Sequence, residues 1–162
     1  MSRERRERQE LLSRSALGVF RLNGQFLAVA EELARPAGLT AAWWQVLGAV
    51  LTEPLPVSGI ARAMGITRQS VQRIADLLVE RGLAEYRANP AHRRAKLLAP
   101  TGEGRAAIER VSPGHAMYAD RLVEAFGEAR LAEAVGVLEE LSAVLDELGP
   151  PGDQDGLAVT EP

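Results

Sequence analysis

Residues 57–100 read VSGIARAMGITRQSVQRIADLLVERGLAEYRANPAHRRAKLLAP, and the spacing inside this stretch decides the architecture. Val57, Ile60, Ala61 and Met64 repeat at i, i+3, i+4 and i+7, which predicts a short amphipathic helix stopping at Gly65. Ile66 is expected to be buried in the turn that follows, and Thr67 stands where it can cap a second helix reaching Arg81. At about 100° per residue the second helix has two faces. Val71, Ile74, Ala75 and Leu78 share one, while Arg68, Gln69, Gln72, Arg73 and Asp76 share the other. A short helix, a glycine turn and a longer helix with a basic and amide outer face make a helix-turn-helix whose second helix can enter a major groove. Guanidinium groups pair bidentately with guanine O6/N7 and glutamine amides with adenine N6/N7, so Thr67, Arg68, Gln69, Ser70, Gln72 and Arg73 are the candidate DNA-contacting residues of this helix. An ordinary solvated helix face is the competing reading of the same pattern.

Downstream, Gly82 closes the helix and Leu83–Arg87 alternates as a strand does. Asn89-Pro90-Ala91-His92-Arg93-Arg94 is rich in turn formers and basic, and Lys96–Ala99 returns as a second strand before Thr101 caps another helix. A basic hairpin directly after a recognition helix is a wing. His92, Arg93, Arg94 and Lys96 are its candidate contacts to phosphates or to a narrow minor groove, where negative potential concentrates.

Upstream, a helix is expected from about Glu7 to Leu33, ended by Arg35-Pro36-Ala37-Gly38, and Thr40 caps another that runs to about Thr52, where Glu53-Pro54-Leu55-Pro56 breaks it. Beyond the wing, a helical segment with Ala107, Ile108 and Val111 meets a break or kink at Ser112-Pro113-Gly114 and resumes through Met117, Leu122 and Phe126. A last helix spans Glu128–Leu148 with a leucine seam at spacings of three and four, and a Pro-, Gly- and Asp-rich tail at residues 149–162 is expected to be disordered.

Charge distribution supports the same division. The 162 residues carry a net charge of −3, yet residues 56–100 hold 8 Lys/Arg against 3 Asp/Glu, while residues 101–162 hold 4 against 13. A compact basic segment inside an acidic chain is what a phosphate-facing module looks like when the rest serves another purpose. There is no cysteine, which excludes disulfides, thiolate metal ligands and thiol switches. The chain lacks a run of about 18 apolar residues and a secretory core after its basic amino terminus, so no membrane partner and a cytoplasmic location are expected. Only His92 and His115 are present, with no phosphate loop, nucleophile elbow or His-x-x-x-His pair, so neither catalysis nor a cofactor is expected; His115 near Asp120 and Glu124 reads as a surface histidine and no metal is predicted.

The run from Leu39 to Arg105 resembles the DNA-binding core of the MarR (multiple antibiotic resistance regulator) family. The helix-turn-helix Val57–Gly82, the segment Arg81-Gly82-Leu83-Ala84-Glu85-Tyr86 and the wing Asn89–Gly104 carry the resemblance. The family's wing usually reads Asp-Pro-x-Asp-Arg-Arg, and here Asn89 and His92 replace the two aspartates, which puts the usual wing salt bridge to Arg94 in doubt. The resemblance implies that Arg94 is the minor-groove residue and Arg93 a phosphate contact. It also implies a repressor that binds a pseudo-palindromic double-stranded DNA operator as a homodimer and answers to a small aromatic or anionic effector. Phe20, Phe26, Trp43 and Trp44 are candidates to line the effector pocket, although core packing is the favoured reading of each of them. The expected fold is therefore mainly α: a winged helix-turn-helix with a two-stranded β-hairpin wing, and long N- and C-terminal helices forming a dimerisation region. Its expected parts are residues 1–36 and 105–148 for dimerisation, residues 37–104 for DNA binding, and the tail. A winged-helix module that binds protein and not DNA is the alternative, but such a surface favours apolar and aromatic anchors, and the outer face of residues 67–81 has none.

Overall fold

The computed structural model describes residues 2–151, so residues 152–162 of the expected tail lie outside the described residues. In chain order the elements are α1 (Arg3–Ala34), α2 (Ala41–Ala49), β1 (Leu55–Pro56), α3 (Val57–Met64), α4 (Arg68–Glu80), β2 (Ala84–Arg87), β3 (Leu97–Pro100), α5 (Gly102–Phe126) and α6 (Glu128–Leu148). The chain divides into one compact unit ending at His115 and a second beginning at Ala116.

Helix α1 begins earlier than its apolar pattern suggests. Ser2 caps it by accepting from the Arg5 N–H, and Arg3 pairs with Glu7 one turn on. A short 3-10 turn, Arg35–Ala37, ends in Gly38 at φ 73°, a left-handed conformation in which an L side chain is strained. Helix α2 is capped twice. Thr40 Oγ1 accepts from the Trp43 N–H at 3.1 Å, and the Glu31 carboxylate, reaching across from α1, accepts from the Ala41 N–H at 2.8 Å. A carboxylate at a helix N-terminus satisfies an orphan donor and complements the helix dipole. The helix is shorter than expected: after Ala49 the N–H groups of Val50 and Leu51 turn back to Leu47 and Gly48, and the freed Leu51 carbonyl accepts from the Arg105 guanidinium at 3.3 Å.

The helix-turn-helix forms where expected. Gly65 adopts φ 65° after α3, and Thr67 Oγ1 accepts from the Ser70 N–H at 3.2 Å to start α4. Ile66 is not buried as expected but remains 39% exposed, because the left-handed glycine carries the chain off the core before α4 begins. The sheet has three strands in the order β1-β3-β2, one more than the expected hairpin. Leu55 and Pro56 pair antiparallel with Leu98 and Leu97, and Ala84–Arg87 pair with Pro100–Leu97. β1 spans only Leu97 and Leu98, so at Pro100 the strand has one neighbour, and a proline without a donor is tolerated there.

The core of the first unit is made by Val46 and Leu47 of α2, Val50 just beyond its end, Ile60 of α3, Val71 and Leu78 of α4, Leu98 of β3 and Val111 of α5, all at or near zero exposure. Full burial of a Val, Leu or Ile side chain is worth about 1.5–3 kcal/mol, and no charged or polar residue interrupts this cluster. Helix α5 passes without a break through Ser112-Pro113-Gly114, against expectation. Proline removes one backbone donor, but Ser112 Oγ donates to the Ile108 carbonyl at 3.5 Å and the buried Ala107 and Val111 anchor the turn before it. In the second unit, Gly127 at φ 94° separates α5 from α6, and the Arg130 guanidinium lies 4.6 Å over the Phe126 ring.

One close approach governs how the wing is attached. Thr101 donates its N–H to the Leu83 carbonyl at 3.1 Å and its hydroxyl to the Gly82 carbonyl at 2.6 Å, while Thr101 Oγ1 accepts from the Gly104 N–H at 3.1 Å. A Cβ added at Gly104 would lie 2.0 Å from the Leu83 carbonyl oxygen, a clash only backbone movement can relieve. Gly104→Ala is expected to destabilise the fold by about 1–3 kcal/mol, read as a lower urea midpoint. Gly48→Ala, in α2 with nothing within 4 Å of the added atom, is expected to stabilise it by about 0.5–1 kcal/mol. Equal midpoints for the two variants would contradict this account.

Candidate nucleic-acid interface

The outer face of α4 is as the pattern requires: Arg68, Gln69, Gln72, Arg73 and Asp76 are exposed, while Val71, Ala75 and Leu78 are buried. The helix N-terminus adds the positive end of its dipole beside Arg68. Thr67 and Ser70 hold this end together. Thr67 Oγ1 donates to Ser70 Oγ at 2.9 Å while accepting from the Ser70 N–H, so Thr67 is first a cap, and Ser70 keeps its hydroxyl hydrogen for another partner.

Arg68, Gln69 and Gln72 of α4 meet Tyr86 of β2 and Arg94 and Lys96 of the wing around a concave hollow of ≈ 580 Å³. A second hollow of ≈ 510 Å³ lies beside it, lined by Ser58, Ala61, Arg62, Gly65, Ile66 and Arg68. Sequence reading assigned no role to Arg62. Its signal was available, since α3 carries a single basic residue and it stands opposite Ile60 and Ala61 on the open side. Among the described residues the ion pairs are Arg3–Glu7, Arg35–Glu32 and Arg87–Glu85, all exposed and so worth little; the guanidinium groups of Arg68, Arg73, Arg93 and Arg94 enter none of them.

The tip of the wing is held by Asn89. Its side-chain oxygen accepts from the Ala91 N–H at 3.0 Å, its carbonyl from the His92 N–H at 3.2 Å, and the His92 carbonyl accepts from the Ala95 N–H at 3.3 Å. Asn89 makes the turn that an aspartate at this position would also make. His92 contributes backbone to the turn, and the tip cations stand free of a carboxylate among the described residues.

A cluster that the sequence did not reveal joins α4 to β2. Tyr86 donates its hydroxyl to Asp76 Oδ1 at 2.5 Å, and the Gln72 amide nitrogen donates to the same carboxylate oxygen at 3.0 Å and to the Tyr86 oxygen at 2.9 Å. Partial burial, then the hydrogen bond to Asp76 and the negative charge of that carboxylate, push the Tyr86 hydroxyl up to about 12, partly offset by the Gln72 N–H. Gln72 and Asp76 share a helix face by spacing, but no periodicity brings Tyr86 across to them; the turn at Gly82, which packs β2 against α4, does.

The four aromatic pocket candidates do not share one environment. Trp43 and Trp44 are half-buried against the core and diverge as neighbouring helical residues must: Arg81 lies 5.5 Å over Trp43, and the His115 ring meets Trp44 edge-on at 5.5 Å. Phe20 and Phe26 lie on α1 at 70% and 56% exposure.

A three-stranded winged helix-turn-helix with a continuous basic face from α4 to the wing is the architecture of a DNA-binding regulator. The family model described as MarR family matches residues 37–95. An uncharacterized protein of Mycobacterium tuberculosis is 39% identical over 120 residues, which cover 74% of this chain and 84% of the relative. The chain is similar to CouR of Rhodococcus jostii, solved with p-coumaroyl-CoA, at 27% identity and TM-score 0.64 over 76% of this chain and 87% of that one. A CouR repressor structure on a 23-mer DNA duplex is likewise 27% identical, with TM-score 0.68 over 77% and 89% of the two chains. The chain belongs to the MarR family and is a transcriptional regulator, not an enzyme.

A tyrosine whose folded value is raised above its unfolded value near 10 stabilises the fold fully at lower pH, and that contribution is lost as pH rises from about 10 to about 12. Absorbance titration is expected to show a late-ionising tyrosine that is missing in Tyr86→Phe. A wild-type curve superimposable on the variant's after scaling for one fewer tyrosine would remove the cluster from this account.

Proposed function

We propose that the protein is a repressor that binds a pseudo-palindromic operator as a homodimer, with α4 in the major groove, the wing over the adjacent minor groove, and DNA affinity lowered by an aromatic or anionic effector. The observation that carries this reading is the joined basic surface of Arg68, Gln69, Arg94 and Lys96, which brings α4 and the wing together around one hollow. Arg73, further along the exposed face of α4, is the candidate base reader; Arg94 is the candidate minor-groove residue, with Arg93 and His92 beside it at the tip. The DNA-bound CouR structure supports the mode of binding, and CouR with p-coumaroyl-CoA supports an effector of mixed aromatic and anionic character.

Dimerisation is supported by apolar surface. Helix α1 exposes Leu11, Leu12, Leu17, Phe20 and Phe26 among others, and α6 exposes Val135, Val137, Leu138, Val144, Leu145 and Leu148. A stripe of this kind on a single chain is a surface awaiting a partner. A second copy is the natural occupant, because two recognition helices related by a twofold axis meet half-sites about one helical turn apart. Phe20 and Phe26, exposed in one chain, are covered in such a dimer, and only there can they join the tryptophans around an effector.

Light scattering is expected to give twice the 17.5 kDa chain mass at micromolar concentration; the monomer mass would refute the dimer. Duplexes enriched from a random pool provide the test of the DNA contacts. Arg73→Ala is expected to weaken binding to an enriched duplex by about 1–3 kcal/mol and to a scrambled duplex much less. Arg94→Ala is expected to weaken both alike and to flatten the salt dependence by about one unit. Identical losses for the two variants on both duplexes would show that the roles of helix and wing are wrongly assigned.

A further inference from the structure

The second hollow, on the α3 side of the recognition helix, has a lining with a definite chemical bias. Ser58 and Arg62 stand one turn apart on α3, Arg68 opens α4, and Ala61, Gly65 and Ile66 complete the wall around ≈ 510 Å³. Two guanidinium groups therefore border one space, and no carboxylate is among the residues that line it. Both arginines are exposed, and among the described residues neither enters an ion pair. Asp76, the acid of the α4 face, stands about two turns beyond Arg68 and is tied to Tyr86 and Gln72. Like charges facing one space repel, and an anion placed between them turns that repulsion into attraction. Beside the cations stands an aliphatic side chain: Gly65, at φ 65°, carries the chain off the core and leaves Ile66 39% exposed.

A base edge does not satisfy this arrangement. The two acceptors of guanine, O6 and N7, are saturated by one guanidinium, which leaves the second cation without a partner. A backbone phosphodiester offers two charged non-bridging oxygens, one for each guanidinium, and the deoxyribose carbons beside it suit the wall formed by Ile66. We propose that Arg62 and Arg68 form a clamp on a single DNA phosphate, so that Arg62 joins the interface from the first helix of the helix-turn-helix and Arg68 is a phosphate contact and not a base reader. The inference rests on the proposal that α4 lies in the major groove, a docking in which the first helix crosses the backbone. Arg68 and Ser58 border both hollows, so the clamp continues the basic surface that runs on to Arg94 and Lys96. Its role is register. One phosphate gripped from two helices fixes how far the N-terminal end of α4 enters the groove, and with it which residues further along, Arg73 among them, come opposite base edges.

The test uses the full-length chain and duplexes selected from a random-sequence pool, in which single phosphates are replaced one at a time by uncharged methylphosphonate. At one position in each half-site the replacement is expected to weaken the wild type by about tenfold and the Arg62→Ala/Arg68→Ala double variant by less than about twofold, because the double variant has already lost the contact. Each single variant is expected to fall between, with its shortfall at that same position. The double variant should also flatten the slope of log affinity against log salt by about one unit, the value for one phosphate. A change of about two units, or shortfalls at two different positions for the two single variants, would mean separate phosphates and overturn the clamp. A pool selected with Arg68→Ala is expected to return the wild-type motif; relaxation at one base pair by about tenfold would make Arg68 a base reader and overturn the inference as well. Affinity and methylphosphonate profile both indifferent to Arg62→Ala would overturn this inference and leave the DNA-binding proposal intact. No enrichment by the wild type would overturn both.

Discussion

The attachment of the wing to the helix-turn-helix depends on the close approach of Gly104 to the carbonyl of Leu83. Helix α4 ends at Glu80, Gly82 turns the chain at φ 72°, and the next carbonyls are taken at once by Thr101, the first residue beyond the wing. The whole wing is thus a loop whose two ends are fastened to one point, with Thr101 bonding both carbonyls and capping α5 through the Gly104 N–H. The absence of a Cβ at Gly104 lets the two backbones close to this distance. A change that opened this junction would loosen both the attachment of the wing and the fold around it, so the presentation of the cations is tied to a packing residue.

Fastening the base does not by itself set the angle of the wing, and the polar cluster does the second half. Tyr86 stands one register step from the Leu97–Arg87 pair that opens the hairpin, and its hydroxyl is tied to α4 through Asp76. An acidic residue among the basic side chains of α4 and the wing works against anion affinity taken alone. Here its charge is occupied by two donors, so it acts as a tether. The exposed bonds of the cluster are individually worth about 0.5–1.5 kcal/mol, enough to bias side-chain orientation and too little to hold the fold, which the buried aliphatic cluster does.

How much of this was legible in the chain follows from the range of the forces involved. The helix-turn-helix was readable because a repeat of three and four, one left-handed glycine and one capping threonine are local signals, and Gly65 and Thr67 act as those signals require. β1 was not, because two residues containing a proline have no periodicity and become a strand only when β3 arrives beside them. Ser112-Pro113-Gly114 reads as a break by propensity, yet buried neighbours in α5 outweigh one missing hydrogen bond. Ile66 reads as core by composition, but the backbone at Gly65 aims it outward. The site was half legible: the outer-face residues of α4 and the wing cations followed from spacing and charge, whereas Tyr86, which hydrogen-bonds two residues of that face, enters only through the packing of β2 on α4.

The aromatic residues show the same limit from the other side. Trp43 and Trp44 are adjacent, and the helix sends one toward Arg81 and the other toward His115, so a pair that looks like one feature in sequence is two contacts in space. Phe20 and Phe26 look like core by their type and lie open on α1. Their exposure is a statement about one chain. An apolar side chain on a long charged helix is retained in water only against a continuing hydrophobic penalty, so the surface of α1 is intelligible as half of a structure whose other half is supplied from outside the chain. The basic lobe needs no such completion, since its cations are solvated already and its core is closed. The apolar face of α1 and the basic lobe are therefore under different constraints, and the acidic excess of residues 101–162 lies outside the basic segment 56–100.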